Sequence, residues 1–211
     1  MTALAAPPRI VLASGSPRRR ELLEGLCIAF EVDVPDVDER RAPDEDAAAM
    51  VLRLARASAA AVAARWGAAG ERAAASSGAD AETAPLVIAA DTTVVVDGRV
   101  LEKPRDVAEA AAFVARLAGR VHEVHTGHAL RLGDREVAEV RTTRVRFRPL
   151  DPDEVQAYAA TGEGLDKAGG YAIQGRGAAL VESIEGCYGT VVGLSLPWLV
   201  VAARRLGVRL A

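Results

Sequence analysis

Aromatic residues are scarce in this chain, at 4% of 211 positions, and there are only two cysteines, Cys27 and Cys187. The first shortage means that the core must be built from Leu, Val, Ile and Ala. Because 50% of the residues are apolar and alanine is prominent among them, helices should be well represented. The second shortage argues against a disulfide framework. Two cysteines far apart, with no Cys-x-x-Cys pair and with apolar neighbours, read as small buried thiols in a reducing, cytoplasmic setting. Positive charge is not in excess either. A net charge of −3 provides no broad field to hold a nucleic acid backbone, so no nucleic-acid partner is expected. Long uncharged apolar runs are missing. No segment offers the ~20 residues of a membrane span, and Met1 to Pro8 lack the charged-then-apolar pattern of a signal peptide, so no membrane partner is expected. There is no GxxxxGK[ST] phosphate loop and no GxSxG nucleophile turn.

What is present is a mixture of strand and helix patterns, on a chain long enough for one domain or two closely joined lobes. Residues 9–13 read as a buried strand. Ser14-Gly15-Ser16 then turns the chain, with Ser16 placed as an N-cap and Pro17 at the first position of a helix running to about Gly25. Residues 29–34 alternate like a strand, and an acidic loop follows from Asp36 to Asp46. An alanine-rich helix covers about Asp46 to Trp66. Residues 67–85 are small, polar and aperiodic and read as a flexible surface insertion. Residues 86–96 (LVIAADTTVVV) form the strongest strand, with Asp97-Gly98 a hairpin turn into Val100-Leu101. Asp106 with Glu109 resembles a capping box opening a helix to Gly119. Strands follow at 121–132 and 137–148, then a helix from Asp151 to Gly162. A glycine-rich segment at 162–177, a strand at 178–184 and a last helix from Pro197 to Leu206 complete the chain. Hairpins interleaved with helices imply an α/β protein with a mixed sheet, not a barrel or a doubly wound parallel sheet.

Several segments could carry chemistry. Free N–H groups at the helix start after Ser14-Gly15-Ser16 attract anions. Arg18 and Arg19 lie in that first turn, where cations oppose the helix dipole, a placement that makes sense beside a bound anion. Asp91 sits in an apolar strand, where an unpaired carboxylate is costly, so it needs a metal, a cation or backbone donors. Lys103 follows the hairpin that carries Asp91 and can fold back toward it. Glu39, in the acidic loop, is a candidate metal ligand facing Asp91, since hard divalent cations take oxygen ligands and leave room for phosphate. Gln174, in DKAGGYAIQG, offers a donor and an acceptor suited to reading a base edge. Solvated charge clusters or an ordinary glycine turn would account for most of these segments taken singly. His122, His125 and His128 have an HxxHxxH spacing that suggests zinc, but on a strand the period of two sends His125 to the opposite face, so a histidine metal site is not expected.

Taken together, the segments resemble the Maf family, named for septum-formation inhibition and for nucleoside triphosphate pyrophosphatase activity. The matching pieces are LASGSPRRRELL at 12–23, VDE at 37–39, AADTTVVVDGRVLEKPRD at 89–106, HEVHTG at 122–127, DKAGGYAIQG at 166–175 and VVGLSLPWL at 191–199. They occur in the family's order and span nearly the whole chain. The resemblance implies an elongated, twisted mixed sheet flanked by helices, with two lobes and a cleft. It implies hydrolysis between the α- and β-phosphates with Mg²⁺ or Mn²⁺ as cofactor, and a homodimer as partner state. By position, Asp91 is the catalytic acid residue, with Ser14, Arg19, Glu39 and Lys103 around the phosphates and metal. Arg18, Thr92 and Gln174 match the branch that acts on dTTP and UTP; the 7-methyl-GTP branch has Trp, Gln and Glu there. The chain departs from the family at Ser58, where the long second helix usually carries lysine. Two alternatives stand beside this reading: a house-cleaning pyrophosphatase for noncanonical purine triphosphates, and a nucleotide-binding regulator of cell division with weak activity.

Overall fold

The computed structural model describes residues 8–77 and 84–210. Its elements are β1 (Ile10–Leu12), α1 (Pro17–Glu24), β2 (Glu31–Val32), α2 (Ala47–Ser77), β3 (Leu86–Val96), β4 (Arg99–Leu101), α3 (Val107–Leu117), β5 (Val121–Leu132), β6 (Arg135–Phe147), α4 (Pro152–Ala160), β7 (Val181–Glu185), α5 (Tyr188–Val192) and α6 (Leu196–Arg205). The seven strands make one open mixed sheet in the order β2-β1-β3-β5-β6-β7, with β4 also on β3. β1 runs parallel to β2 and β3, and the other pairings are antiparallel.

The layout of β3 explains where the site is. β5 occupies one edge of β3 from Leu86 to Val95. β1 and β4 therefore share the opposite edge. β1 pairs with Leu86 to Ile88, and β4 with Val94 to Val96. On that edge residues 89–93, between β1 and β4, have no described strand alongside. The gap arises because the chain leaves β1 through the Ser14-Gly15-Ser16 turn, while β4 is only the short return arm of a hairpin. That hairpin turns at Asp97 and Gly98, both at positive φ (52° and 70°), as a tight two-residue connection requires.

Strand alternation then sorts the side chains. Leu86, Ile88 and Ala90 of β3 join Leu12, Leu130, Leu194 and Leu199 in one apolar cluster under α1 and α6. Val94 and Val96, on the same face, join Val124, Phe147, Leu117 and Tyr171 in a second cluster under α3 and α4. Between the two clusters lie Thr92 and Thr126, cross-strand partners whose hydroxyl oxygens are 3.1 Å apart. A polar seam thus separates two dry cores. On the other face, Val87, Ala89 and Ala129 pack against Ala55, Ala59 and Val62 of α2.

α2 approaches the sheet most closely at Gly127, where a Cβ would lie 2.2 Å from the Val51 carbonyl oxygen. Only glycine fits there, and Gly127 is the register partner of Asp91. The helix runs to Ser77, eleven residues beyond Trp66 where the sequence reading ended it; its alanines carry the helix on despite Gly67 and Gly70. The expected insertion at 67–85 is therefore helical in its first part, and residues 78–83 of it lie outside the described residues. Ala47–Ala68 is also long and apolar enough to cross a membrane by length and composition, although Arg53, Arg56 and Arg65 interrupt it. It packs on the sheet instead, burying Val51, Leu54, Ala55, Ala59 and Val62, while Arg53, Arg56 and Arg65 pair with Glu45, Glu136 and Asp33.

Other differences are local. Cys27 is exposed rather than buried: α1 unwinds after Gly25, and Cys27 takes the left-handed conformation (φ 55°) that ends the turn. Asp106 caps α3 through the Glu109 N–H at 2.8 Å, but Glu109 bonds Arg105 and leaves the box half made. The complete capping box is Asp151 with Glu154, on α4. Residues 175–180 form a 3₁₀ turn, so β7 starts at Val181, and α5 was not anticipated.

Candidate active site

A cavity of about 400 Å³ opens at the gap in the β3 edge. Ser14, Arg18, Arg19, Glu39, Asp91, Thr92, Lys103 and Gln174 all line it. Four features of the fold bring these distant segments together. The turn after β1 supplies Ser14 and α1 supplies Arg18 and Arg19. β3 supplies Asp91 and Thr92. The chain leaving β4 supplies Lys103. The glycine-rich segment folds over that chain, with Gly169 N–H donating to the Glu102 carbonyl at 3.1 Å, and brings Gln174 to the rim.

Asp91 and Thr92 point to opposite faces of the sheet, yet both reach the cavity because the strand edge between them is open. The cavity walls beside them are apolar: Val94 and Val124, paired across β3 and β5, and Val191 and Val192 of α5. The first pair follows from the parity of the two strands. The second was missed because a five-residue helix has too little periodicity to announce itself.

Arg19 makes more side-chain hydrogen bonds than any other described residue of the site. Its Nε donates to the Gly193 carbonyl at 2.9 Å, its Nη1 to Ser14 Oγ at 2.9 Å and its Nη2 to Thr92 Oγ1 at 3.2 Å. Thr126 Oγ1 in turn donates to the Thr190 carbonyl at 2.7 Å. A guanidinium has five N–H donors; three are used here, and two remain for an incoming ligand. Burial lowers the proton affinity of Arg19, and the positive charge of Arg18 adds to this, while Asp91 and Glu39 oppose it.

The Ser16 side chain makes no capping bond, although Ser16 holds the N-cap position of α1. Its own N–H turns back to Ser14 Oγ at 3.2 Å. The first-turn N–H groups of α1 are thus left to whatever sits before them. Arg18 reaches across the mouth to Asp166, 3.4 Å away, and Lys167 pairs with Asp166 and donates to the Glu163 carbonyl at 2.6 Å. Glu39, Lys103 and Gln174 make no side-chain hydrogen bond among the described residues, and each lines the cavity.

Asp91 carries the site's acid–base potential. Burial pushes its carboxyl above the usual range; Arg19 opposes this, Glu39 adds to it, and the Thr92 N–H and Lys103 pull it down. Among the described residues three carboxylates line the cavity: Asp91 of β3, Glu39 of the 33–46 loop, and Asp166, which is paired with Arg18 and Lys167 at the mouth. Among the described residues no three His, Cys, Asp or Glu side chains converge as a full metal cage. Two carboxylates, one of them with its proton affinity raised by the other, fit a hard divalent cation that keeps water and phosphate oxygens as its remaining ligands. The histidines take no part in it: His122 and His128 are buried in the two cores, and His125 faces Thr142 on the other side.

Known proteins share this arrangement at the level of sequence. Residues 9–206 match the family described as Maf-like protein. A dTTP/UTP pyrophosphatase of Symbiobacterium thermophilum is 48% identical over 188 residues, 89% of each chain. One from Myxococcus xanthus is 47% identical over 95% of this chain and 94% of its own, and one from Thermus thermophilus 46% identical over 89% of each. With nearly its whole length matched and close to half its residues shared with such relatives, this chain belongs to the Maf family.

Proposed function

We propose that the cavity hydrolyses nucleoside triphosphates, dTTP and UTP before others, to the monophosphate and pyrophosphate. The single observation that carries this reading is the convergence, at one break in a sheet edge, of a half-buried carboxylate, a second carboxylate, three cations and an uncapped helix start.

A triphosphate is a dense anion, and Arg18, Arg19 and Lys103 match it from three sides, with the α1 N–H groups below. The two free Arg19 donors hold a phosphate oxygen while Ser14, Thr92 and the Gly193 carbonyl keep the guanidinium from rotating. Such preorganised donors need no rearrangement as charge grows on the phosphate in the transition state. Asp91 takes the proton from the attacking water. Its raised proton affinity suits that role for a carboxylate with no cation on it; as a cation ligand Asp91 would be less basic, and its part would be to hold the ion beside the attacking water. Glu39 and Asp91 are the residues that would hold Mg²⁺ or Mn²⁺, which when bound draws charge off the phosphates. Gln174 reads the base edge, with the valines of β3, β5 and α5 excluding water beside it. The cytoplasm, where nucleotides and reduced thiols are found, is the compartment this reading assigns, and a homodimer is the assembly, testable by light scattering.

The test is a nucleotide panel with Mg²⁺ and Mn²⁺ and pyrophosphate detection. dTTP and UTP should be consumed faster than ITP or GTP. Preference for ITP would favour the house-cleaning alternative, and tight binding without turnover would favour the regulator.

A further inference from the structure

The reading above needs Glu39 to stay opposite Asp91, and Glu39 belongs to an irregular, exposed segment. Residues 33–46 between β2 and α2 contain no strand or helix. A loop of this kind is ordinarily mobile, and its acidic side chains repel one another. Side chains of α2 hold it at both ends. At the near end Arg65 donates to Asp33 Oδ1 at 2.5 Å and to the Val34 carbonyl at 3.0 Å, and Trp66 Nε1 donates to Asp33 Oδ2 at 2.9 Å. At the far end Arg53 grips Glu45 with Nε at 2.7 Å and Nη2 at 2.8 Å, and the same Nη2 donates to the Arg40 carbonyl at 3.1 Å.

Arg40 is the residue after Glu39, so this last bond fixes the backbone beside the carboxylate. Arg40 itself folds its guanidinium onto Asp38, at 2.6 Å, and Arg41 donates to the Glu45 carbonyl at 2.7 Å, so neighbouring charges are turned away from Glu39. Among the charged side chains of this loop, Glu39 is the one that lines the cavity, with Val34 beside it. Arg53 starts from the helix turn that follows Val51, the residue packed on Gly127 opposite Asp91. The clasp and the catalytic strand therefore share one rigid support.

We propose that Arg53, braced by Glu45, is a positioning residue for the divalent-cation site: by holding the Arg40 carbonyl it aims Glu39 at Asp91. The proposal rests on the reading that Glu39 and Asp91 bind the cation. Planar geometry is essential to it, because one guanidinium makes the paired carboxylate bonds and the carbonyl bond together. An ammonium in its place cannot make all three.

The test is Mn²⁺ binding, read by the electron-paramagnetic signal of free Mn²⁺ with a non-hydrolysable α,β-methylene analogue of dTTP present. Arg53→Gln, Arg53→Lys and Glu45→Gln should each weaken Mn²⁺ binding roughly tenfold or more, the usual scale for groups that orient metal ligands. Arg56→Gln, on the same helix but paired with Glu136, should bind as the wild type does. Arg53→Gln combined with Glu39→Gln should be no weaker than Glu39→Gln alone, since the two then act as one unit. Melting temperatures of the Arg53 and Arg56 variants should match, which separates aiming from general loss of structure. Wild-type affinity in Arg53→Lys or Arg53→Gln, additive losses in the double variant, or no Mn²⁺ binding by the wild type would each overturn the proposal. Wild-type protein that binds Mn²⁺ but leaves dTTP intact would refute the pyrophosphatase reading, and the clasp would still stand or fall on the isotherms.

Discussion

Asp91 and Glu39 face one cavity with opposite kinds of support. Asp91 is fixed by the middle strand of the sheet, with β5 on one side and α2 packed on its cross-strand partner Gly127. It is held by backbone and pays in lost hydration. Glu39 is exposed on a loop, keeps its water, and is held through the side chains of a helix. The first arrangement gives a base of raised proton affinity in a fixed place. The second gives a solvent-exposed ligand that depends on its neighbours for aim.

Substituting each carboxylate should separate the two kinds of support. Asp91→Asn should lower turnover at least ~100-fold, the scale of a lost acid–base group. In metal-free buffer at neutral pH it should also melt higher than the wild type. The folded carboxyl holds its proton to a higher pH than the unfolded one, so ionisation above that range works against the fold. Glu39→Gln should reduce metal-supported turnover with a smaller gain in stability, because it removes only the repulsion between the two carboxylates and leaves the burial of Asp91 in place. A melting temperature for Asp91→Asn equal to that of the wild type would show that burial does not strain this carboxylate.

Arg19 stands with Asp91 as a group fixed by its surroundings. Arg19→Lys keeps the charge but loses the bonds to Ser14, Thr92 and Gly193. Charge-assisted hydrogen bonds contribute about 1.5–3 kcal/mol each; these three orient the guanidinium rather than bind the phosphate, so the net loss amounts to about one such bond and kcat/KM should fall roughly 10- to 100-fold. Full activity in the lysine variant would mean that Arg19 acts as a point charge and that the network around it is incidental.

Sequence reasoning reached Asp91 because an acid inside LVIAADTTVVV breaks a local rule. It reached Ser14, Arg18 and Arg19 because a turn into a helix with misplaced cations breaks another. The hairpin at Asp97-Gly98 and the alternation of β3, β5 and β6 were legible for the same reason: the pattern is local. The gap at residues 89–93 was not legible, since it depends on where β1 and β4 stop on an edge they share. Arg53 was invisible as well. An arginine on an alanine-rich helix reads as a solvated face, and its role depends on a carbonyl thirteen positions earlier. Thr92 was named from its match to the family branch; it lines the cavity, and its bond to Arg19 comes only with the folded register.

Burial acts on His122 as it does on Asp91, with the opposite sign of charge. His122 Nε2 lies 2.8 Å from the Tyr171 hydroxyl, and burial lowers its pKa to about 4. An unfolded histidine titrates near 6.5. Between these values the unfolded chain binds the extra proton, so the stability tied to neutral His122 is complete above about pH 6.5 and is lost as pH falls toward 4. At pH 5 the loss relative to pH 7 should be about 2 kcal/mol. His122→Gln should lose that much less than the wild type over the same interval in urea unfolding. Parallel losses in the two proteins would mean that His122 is not held neutral.

The smallest effect should come from Ser58. It is buried at 8% exposure, on the α2 face that carries Ala55, Ala59 and Val62 against the sheet, and it does not line the cavity. The resemblance places a lysine there. In Ser58→Lys, the ammonium would start from a desolvated position and gain a partner only by reaching the triphosphate. The cost would fall on the free protein as a lower melting temperature, and the gain on the nucleotide complex. A partly screened pair contributes up to about 1 kcal/mol, so KM for dTTP should fall by no more than roughly fivefold, with kcat little changed. A drop in kcat instead would show that the added charge competes with the base, and that Ser58 belongs to the Asp91 side of the site rather than to its phosphate side.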